Sequence, residues 1–285
     1  MFSRAVGRMG RGACGPWFRS ADMGIMQTIA VVNEKGGAGK TSLCLALSAV
    51  LGAAGRRVLL VDADPQGNAG LVLSGGDRSP PGPTLADVLL GCPAGEAVRP
   101  SLVPGVDWIP SGAALADAAD RLAAELGRER RLRLAVAELP RDWELVLIDC
   151  PPTRSLLSVN AMNTADGGLI VPVDPGVFSV AGLVSLVAAV DQVRKYLDNH
   201  ALAVRSIVLS RVPRNRVAAD LEAELRAAWG PVVAVTTIPQ AVAVEESHAR
   251  FLPVTLHAPR SVVSKSFHSL AAELFPCQTS LAHVA

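Results

Sequence analysis

Residues 33–41 read NEKGGAGKT, and they carry the types that phosphate chemistry needs. Gly36, Gly37 and Gly39 let backbone N–H groups approach anionic oxygens, and Lys40 can reach the β- and γ-phosphates of a nucleotide. Thr41 follows with a hydroxyl placed to ligate Mg²⁺, and Ala38 and Ser42 belong to the same phosphate-binding stretch. The usual pattern, G-x-x-x-x-G-K-[ST], places glycine six residues before its lysine, where this chain has Glu34. A glycine-rich turn that only caps a helix would explain the glycines. It would not explain Lys40 and Thr41 directly after the last of them.

Lysine is scarce: four of the 27 basic residues, two of them Lys35 and Lys40. Arginine serves elsewhere, so a lysine kept here suits a task that needs a compact, flexible ammonium. Three carboxylates stand at the ends of apolar runs: Asp62 and Asp64 in LLVDADPQGN, and Asp149 in ELVLID. Each alone reads as a turn residue or helix cap. Together with the loop, they point to nucleotide chemistry, with Asp149 in the place of an aspartate that holds a Mg²⁺ shell.

The elements that must position these groups follow from periodicity. TIAVVN (28–33) predicts a buried strand, 41–55 a helix, and 56–64 a second strand, a βαβ unit with the glycine-rich loop at its first turn. A Gly/Pro-rich loop (74–83) precedes a short helix capped by Thr84. Further strands are expected at 106–112, 144–152, 167–174, 204–212 and 232–239, with helices at 113–139, 178–197, 216–229 and 262–275. Near-continuous Val/Ile/Leu strands separated by helices define an α/β, single-domain, doubly wound, mainly parallel sheet with helices on both faces.

Composition narrows the class. At 285 residues, 50% hydrophobic, the chain can bury a large core. A net charge of +1 gives no global attraction to nucleic acid or acidic lipid, so any such contact must be a local patch. No apolar run approaches the roughly 20 residues of a membrane-spanning helix. The five cysteines are spread without C-x-x-C spacing, which argues for a reducing cytoplasm and against disulfide or zinc frameworks. Residues 1–25, arginine-bearing and without an acid before Asp22, read as a disordered extension with Met23 or Met26 as alternative starts; 277–285 read as a tail and 26–276 as the working domain. The five histidines are scattered and read as surface or core filler.

NEKGGAGKTSLCLAL, RRVLLVDADPQGNA, VDWIPSG, LVLIDCPP and the segment around NTADGGLIVPV resemble the ParA/Soj partition ATPases of the deviant Walker A superfamily, over about residues 26–275. The resemblance implies a K-G-G-x-G-K-[ST] loop whose signature lysine, here Lys35, reaches across a nucleotide-sandwich homodimer to the other subunit's phosphates. Glu34 fits that branch, where Gln or Glu commonly precedes the signature lysine. By the same resemblance Asp64 positions the attacking water, with Lys35 and Lys40 as its catalytic partners. Asp62 and Asp149 organise Mg²⁺, and Pro239 lines the base pocket. The implied cofactors are ATP and Mg²⁺, and the implied partners are nonspecific double-stranded DNA and a ParB-like protein.

The match departs at IPQAVAVEESH (238–248), which stands for the family-like I-P-R-N-V-R-L-S-E-A-P. Gln240 and Ala243 replace arginines, and Ala241 replaces an asparagine that contacts the nucleotide. RVPRNR offers Arg211, Arg214 and Arg216 as DNA contacts or as a solvated helix start; six such arginines in a dimer would give a salt slope on the order of −5. SVVSKSFHSLAAELF has one lysine, so a basic membrane-binding helix is not expected. The leading reading is an ATP-switched, nucleoid-associated partition ATPase. A MinD-like positioning ATPase and a dethiobiotin-synthetase-like ligase are the competing ones.

Overall fold

The computed structural model describes residues 26–78, 81–176 and 179–276, so the sequence-based readings of 1–25 and 277–285 fall outside the described residues. In chain order the elements are β1 (Gln27–Val31), α1 (Lys40–Ala53), β2 (Val58–Asp62), α2 (Asn68–Leu73), α3 (Leu85–Leu89), α4 (Ala94–Ala97) and β3 (Arg99–Pro100). There follow β4 (Val106–Ile109), α5 (Ala114–Leu122), α6 (Arg131–Ala137), β5 (Leu145–Asp149), α7 (Leu156–Thr164), β6 (Leu169–Val173) and α8 (Ser179–Tyr196). The last are β7 (Val204–Leu209), α9 (Arg216–Trp229), α10 (Val242–Ala249), α11 (Val254–His257) and α12 (Val262–Leu274).

The strands form one sheet of order β3-β4-β2-β5-β1-β6-β7, parallel except for the short edge strand β3. Every residue of β2, β5 and β6 is buried. Successive side chains in a strand point to opposite faces, and the core divides accordingly. Ala30, Leu59, Val61, Val146 and Ile148 enter one apolar layer, while Ile29, Val31, Val58, Leu60, Leu145 and Leu147 enter the other. α1 and α12 cover the second face; α3, α5, α6, α7 and α8 contribute to the first. Burying each such Val, Leu or Ile side chain is worth about 1.5–3 kcal/mol, so the sheet is a rigid platform.

Two expected elements differ. The stretch 232–239 is not a strand: it makes only isolated parallel bridges, Ile207 to Val233 and Val212 to Pro239. Between them the amides of Val235 and Thr236 donate to the Glu273 carboxylate at 2.6 and 2.9 Å, which pulls the backbone off the ladder. The helix expected over 113–139 breaks into α5, which ends at Leu122, a 3₁₀ turn at Arg128–Arg130 and α6; Gly127, at φ 70° in the left-handed region, sits at the start of the 3₁₀ turn and keeps the segment from being one continuous helix.

Candidate nucleotide site

Strand register brings the charged groups to one edge. Asp149 is level with Val31 on β1 and with Asp62 on β2, so both aspartates end beside the loop that leaves β1. That carboxyl edge, flanked by a change in strand order, is where open α/β sheets bind ligands.

The loop delivers its backbone to the same place. Gly39 is the N-cap of α1 at φ 90°, no side chain caps that helix end, and a Cβ on Gly39 would lie 2.8 Å from Ser210 Oγ. Only glycine fits there, and the free first-turn amides with the positive helix end attract an anion. Lys40 is 6% exposed, and its ammonium donates only a long hydrogen bond, 3.3 Å, to the Lys35 carbonyl. A cleft of about 520 Å³ opens over these groups, lined among others by Gly37, Lys40, Thr41, Ser42, Asp64 and Pro239.

The three aspartates have distinct surroundings. Asp62 is fully buried and accepts N–H bonds from Gly70 at 2.8 Å and Asp64 at 3.2 Å. Gly70 can approach because it lacks a side chain; a Cβ there would lie 2.5 Å from the Trp108 ring. Burial, then the nearby Asp149, holds the Asp62 carboxyl well above the usual range, against those two amides. Asp149 is also buried, and neither carboxylate oxygen has a hydrogen-bond partner. Burial pushes it up to about 7; the neighbouring Thr41 hydroxyl, which falls short of hydrogen-bond geometry, and the Lys40 ammonium pull the other way. Asp64 lines the cleft, accepts the Gln66 N–H at 3.0 Å on its carboxylate and the Ser111 hydroxyl at 2.5 Å on its carbonyl.

Such an orphaned buried carboxylate beside a threonine hydroxyl suits a hard divalent cation that completes its shell with phosphate and water. The described residues contain no cluster of three or more His, Cys, Asp or Glu able to hold a metal by themselves. Cys44 and Cys150 stay neutral: burial raises both thiols.

Lys35 and Glu34 lie at the rim, each paired across the sheet. The Lys35 ammonium donates to both oxygens of Asp174 at 2.8 and 2.6 Å. Glu34 accepts from Arg154 at 2.9 Å, and Arg154 also donates to the Ser185 carbonyl and hydroxyl on α8. The Arg211 guanidinium, expected among DNA contacts, donates to the Gly37 carbonyl at 2.7 Å and lines the cleft. Arg214 and Arg216 are exposed at the start of α9. Arg154 and Asp174 were not singled out in the sequence, although DCPPTRS and VPVD contain them. His248, read there as filler, lines the cleft with Nε2 3.4 Å from Ser42 Oγ.

The fold and the site define a phosphate-loop protein of the deviant Walker A type. A family model described as "AAA domain" matches residues 26–204. The chain is 36% identical over 253 residues to the chromosome partitioning protein ParA of Caulobacter vibrioides, covering 87% of this chain and 94% of that one. It is 35% identical to the chromosome-partitioning ATPase Soj of Thermus thermophilus, with 87% and 95% covered. Among solved structures, cobyrinic acid a,c-diamide synthase of Mycobacterium smegmatis, with bound ATP analog and magnesium, superposes with TM-score 0.75 at 27% identity, over 87% of this chain and 93% of that one. The chain belongs to the ParA/Soj family of partition ATPases. No helix among the described residues is long and apolar enough to cross a membrane.

Proposed function

We propose that the chain is a Mg²⁺-dependent ATPase that partitions a chromosome or plasmid on the nucleoid in the cytoplasm, with residues 26–276 as its working domain. ATP joins two copies; the dimer binds double-stranded DNA without sequence preference; hydrolysis, stimulated by a ParB-like partner, releases it. The observation that carries this reading is the meeting of Lys40, Thr41 and the unpartnered Asp149 carboxylate at the open end of the sheet.

In this reading the loop amides from Gly36 to Ser42 and the Lys40 ammonium hold the phosphates, and Pro239 lines the base side. Thr41 and Asp149 would ligate Mg²⁺; Asp62, expected from the sequence to organise Mg²⁺ with them, already accepts an amide on each oxygen and would serve the metal site by orienting Asp64 and α2. When bound, Mg²⁺ neutralises charge on the β- and γ-phosphates. Asp64 orients a water whose oxygen attacks the γ-phosphorus; the bond to the bridging oxygen breaks, and ADP and phosphate leave. Lys35 leaves Asp174 and reaches the phosphates across the dimer, supplying charge where it develops. Arg214 and Arg216 contact DNA phosphates.

Co-sedimentation tests the choice of partner. With Mg·ATP the protein should pellet with plasmid DNA and not with anionic liposomes; retention on liposomes alone would replace DNA partition by membrane or protein positioning.

A further inference from the structure

His248 projects from α10 into the cleft wall, where its Nε2 lies 3.4 Å from the hydroxyl of Ser42, one residue beyond Thr41 on α1. The two are 206 residues apart in the chain. Their approach is held from behind: Ser247 is fully buried and donates its hydroxyl to the Val244 carbonyl at 2.8 Å, while Val244 and Phe267 also line the cleft. At this point the family-like segment ends in proline, and Ala241 offers no polar side chain; α10 brings Glu245 and His248 to the cleft, and the imidazole is the one that reaches the Ser42 hydroxyl of the phosphate loop.

We infer that His248 is a positioning residue for nucleotide binding: its Nε2–H donates to Ser42 Oγ and turns the Ser42 O–H toward a phosphate oxygen of the bound nucleotide. A hydroxyl can both accept and donate. With the imidazole N–H occupying a lone pair of Ser42, the serine proton is directed into the cleft. Burial lowers the affinity of His248 for a second proton, against the pull of Glu245, which favours the neutral ring this arrangement uses. The 3.4 Å separation is long for a hydrogen bond in the free protein; ligand binding draws α10 toward α1 and shortens it. The inference rests on the nucleotide-binding reading and adds to it a contact that ties the cleft's outer wall to the loop.

The test is isothermal titration of Mg·ADP into wild-type protein, His248→Ala, His248→Gln, Ser42→Ala and the double His248→Ala/Ser42→Ala variant. Folding of each is checked by the melting midpoint without nucleotide. Loss of one net hydrogen bond predicts about three- to tenfold weaker binding for His248→Ala. Binding should recover in His248→Gln, whose amide can donate in the same place, and His248→Ala should add less than about twofold once Ser42 is alanine. Unchanged affinity in His248→Ala, no recovery with glutamine, or losses that multiply fully in the double variant would overturn the inference. Wild-type protein that binds no ADP would instead overturn the nucleotide-binding reading itself.

Discussion

The Lys35 ammonium bridges both carboxylate oxygens of Asp174, at 2.8 and 2.6 Å, and so faces its own subunit instead of a second one. Lys35 leaves the loop after β1 and Asp174 follows β6, so two adjacent strands set the pair. With Lys35 47% and Asp174 26% exposed, the pair is partly solvated, and such pairs contribute about 0–1 kcal/mol. That is small enough for bound nucleotide to outcompete.

Asp174→Asn should therefore ease the dimer step. Sedimentation velocity with Mg·ATP should show half-dimerisation at up to about 30-fold lower protein concentration than wild type, because each of the two subunits gives up one such pair. An unchanged or higher concentration would remove Asp174 as a restraint on Lys35.

The buried aspartates make the nucleotide-free protein pH-sensitive. Asp149 has its carboxyl raised from 3.8 to about 7 by burial, so between those pH values the folded state binds more protons than the unfolded one. Stability must then fall as pH rises through that window and level off above it, and Asp62, raised for the same reason, acts in the same direction. Urea melts of nucleotide-free protein from pH 5 to 8 should show this decline. Asp149→Asn should flatten it, raise stability at pH 8 and weaken Mg·ADP binding at least tenfold; a variant no more stable at pH 8 would contradict the burial argument.

Lys40→Ala should abolish ATP binding, since the ammonium is the buried cation of the cleft. Asp64→Ala should keep binding and lose hydrolysis by at least about 100-fold, a loss on the scale expected when a group that orients the nucleophile is removed. Normal phosphate release by Asp64→Ala would end its assignment to the attacking water.

The arginines should separate by assay. Arg211, bonded to the Gly37 carbonyl, should affect nucleotide affinity when changed to alanine. Arg214 and Arg216 give four side chains per dimer and a contribution to the salt slope of about −3.5 if all touch phosphate. Removing both should reduce the slope by that amount. A DNA slope that falls only in Arg211→Ala would reverse the assignment.

Much of this was legible in the sequence because it is local. β1, α1 and β2 follow from uninterrupted apolar runs on either side of the glycines, and β5 and β6 from the same kind of run. Asp62, Asp64 and Asp149 stood at strand ends, and parallel register made that one edge. What escaped was long-range. The amides of Val235 and Thr236 leave the ladder for Glu273, a side chain on α12 that no periodicity in 232–239 could reveal. Glu34 with Arg154, Lys35 with Asp174 and Ser42 with His248 are paired over 120, 139 and 206 residues, so only the assembled sheet brings them together.

In the proposed function, nucleotide switches the protein between DNA-bound and free states. A gel shift of nonspecific duplex DNA with Asp64→Ala, compared in Mg·ATP, in Mg·ADP and without nucleotide, tests it most directly. Retardation in Mg·ATP alone is the predicted result. Equal retardation in all three, or none in Mg·ATP, would contradict it.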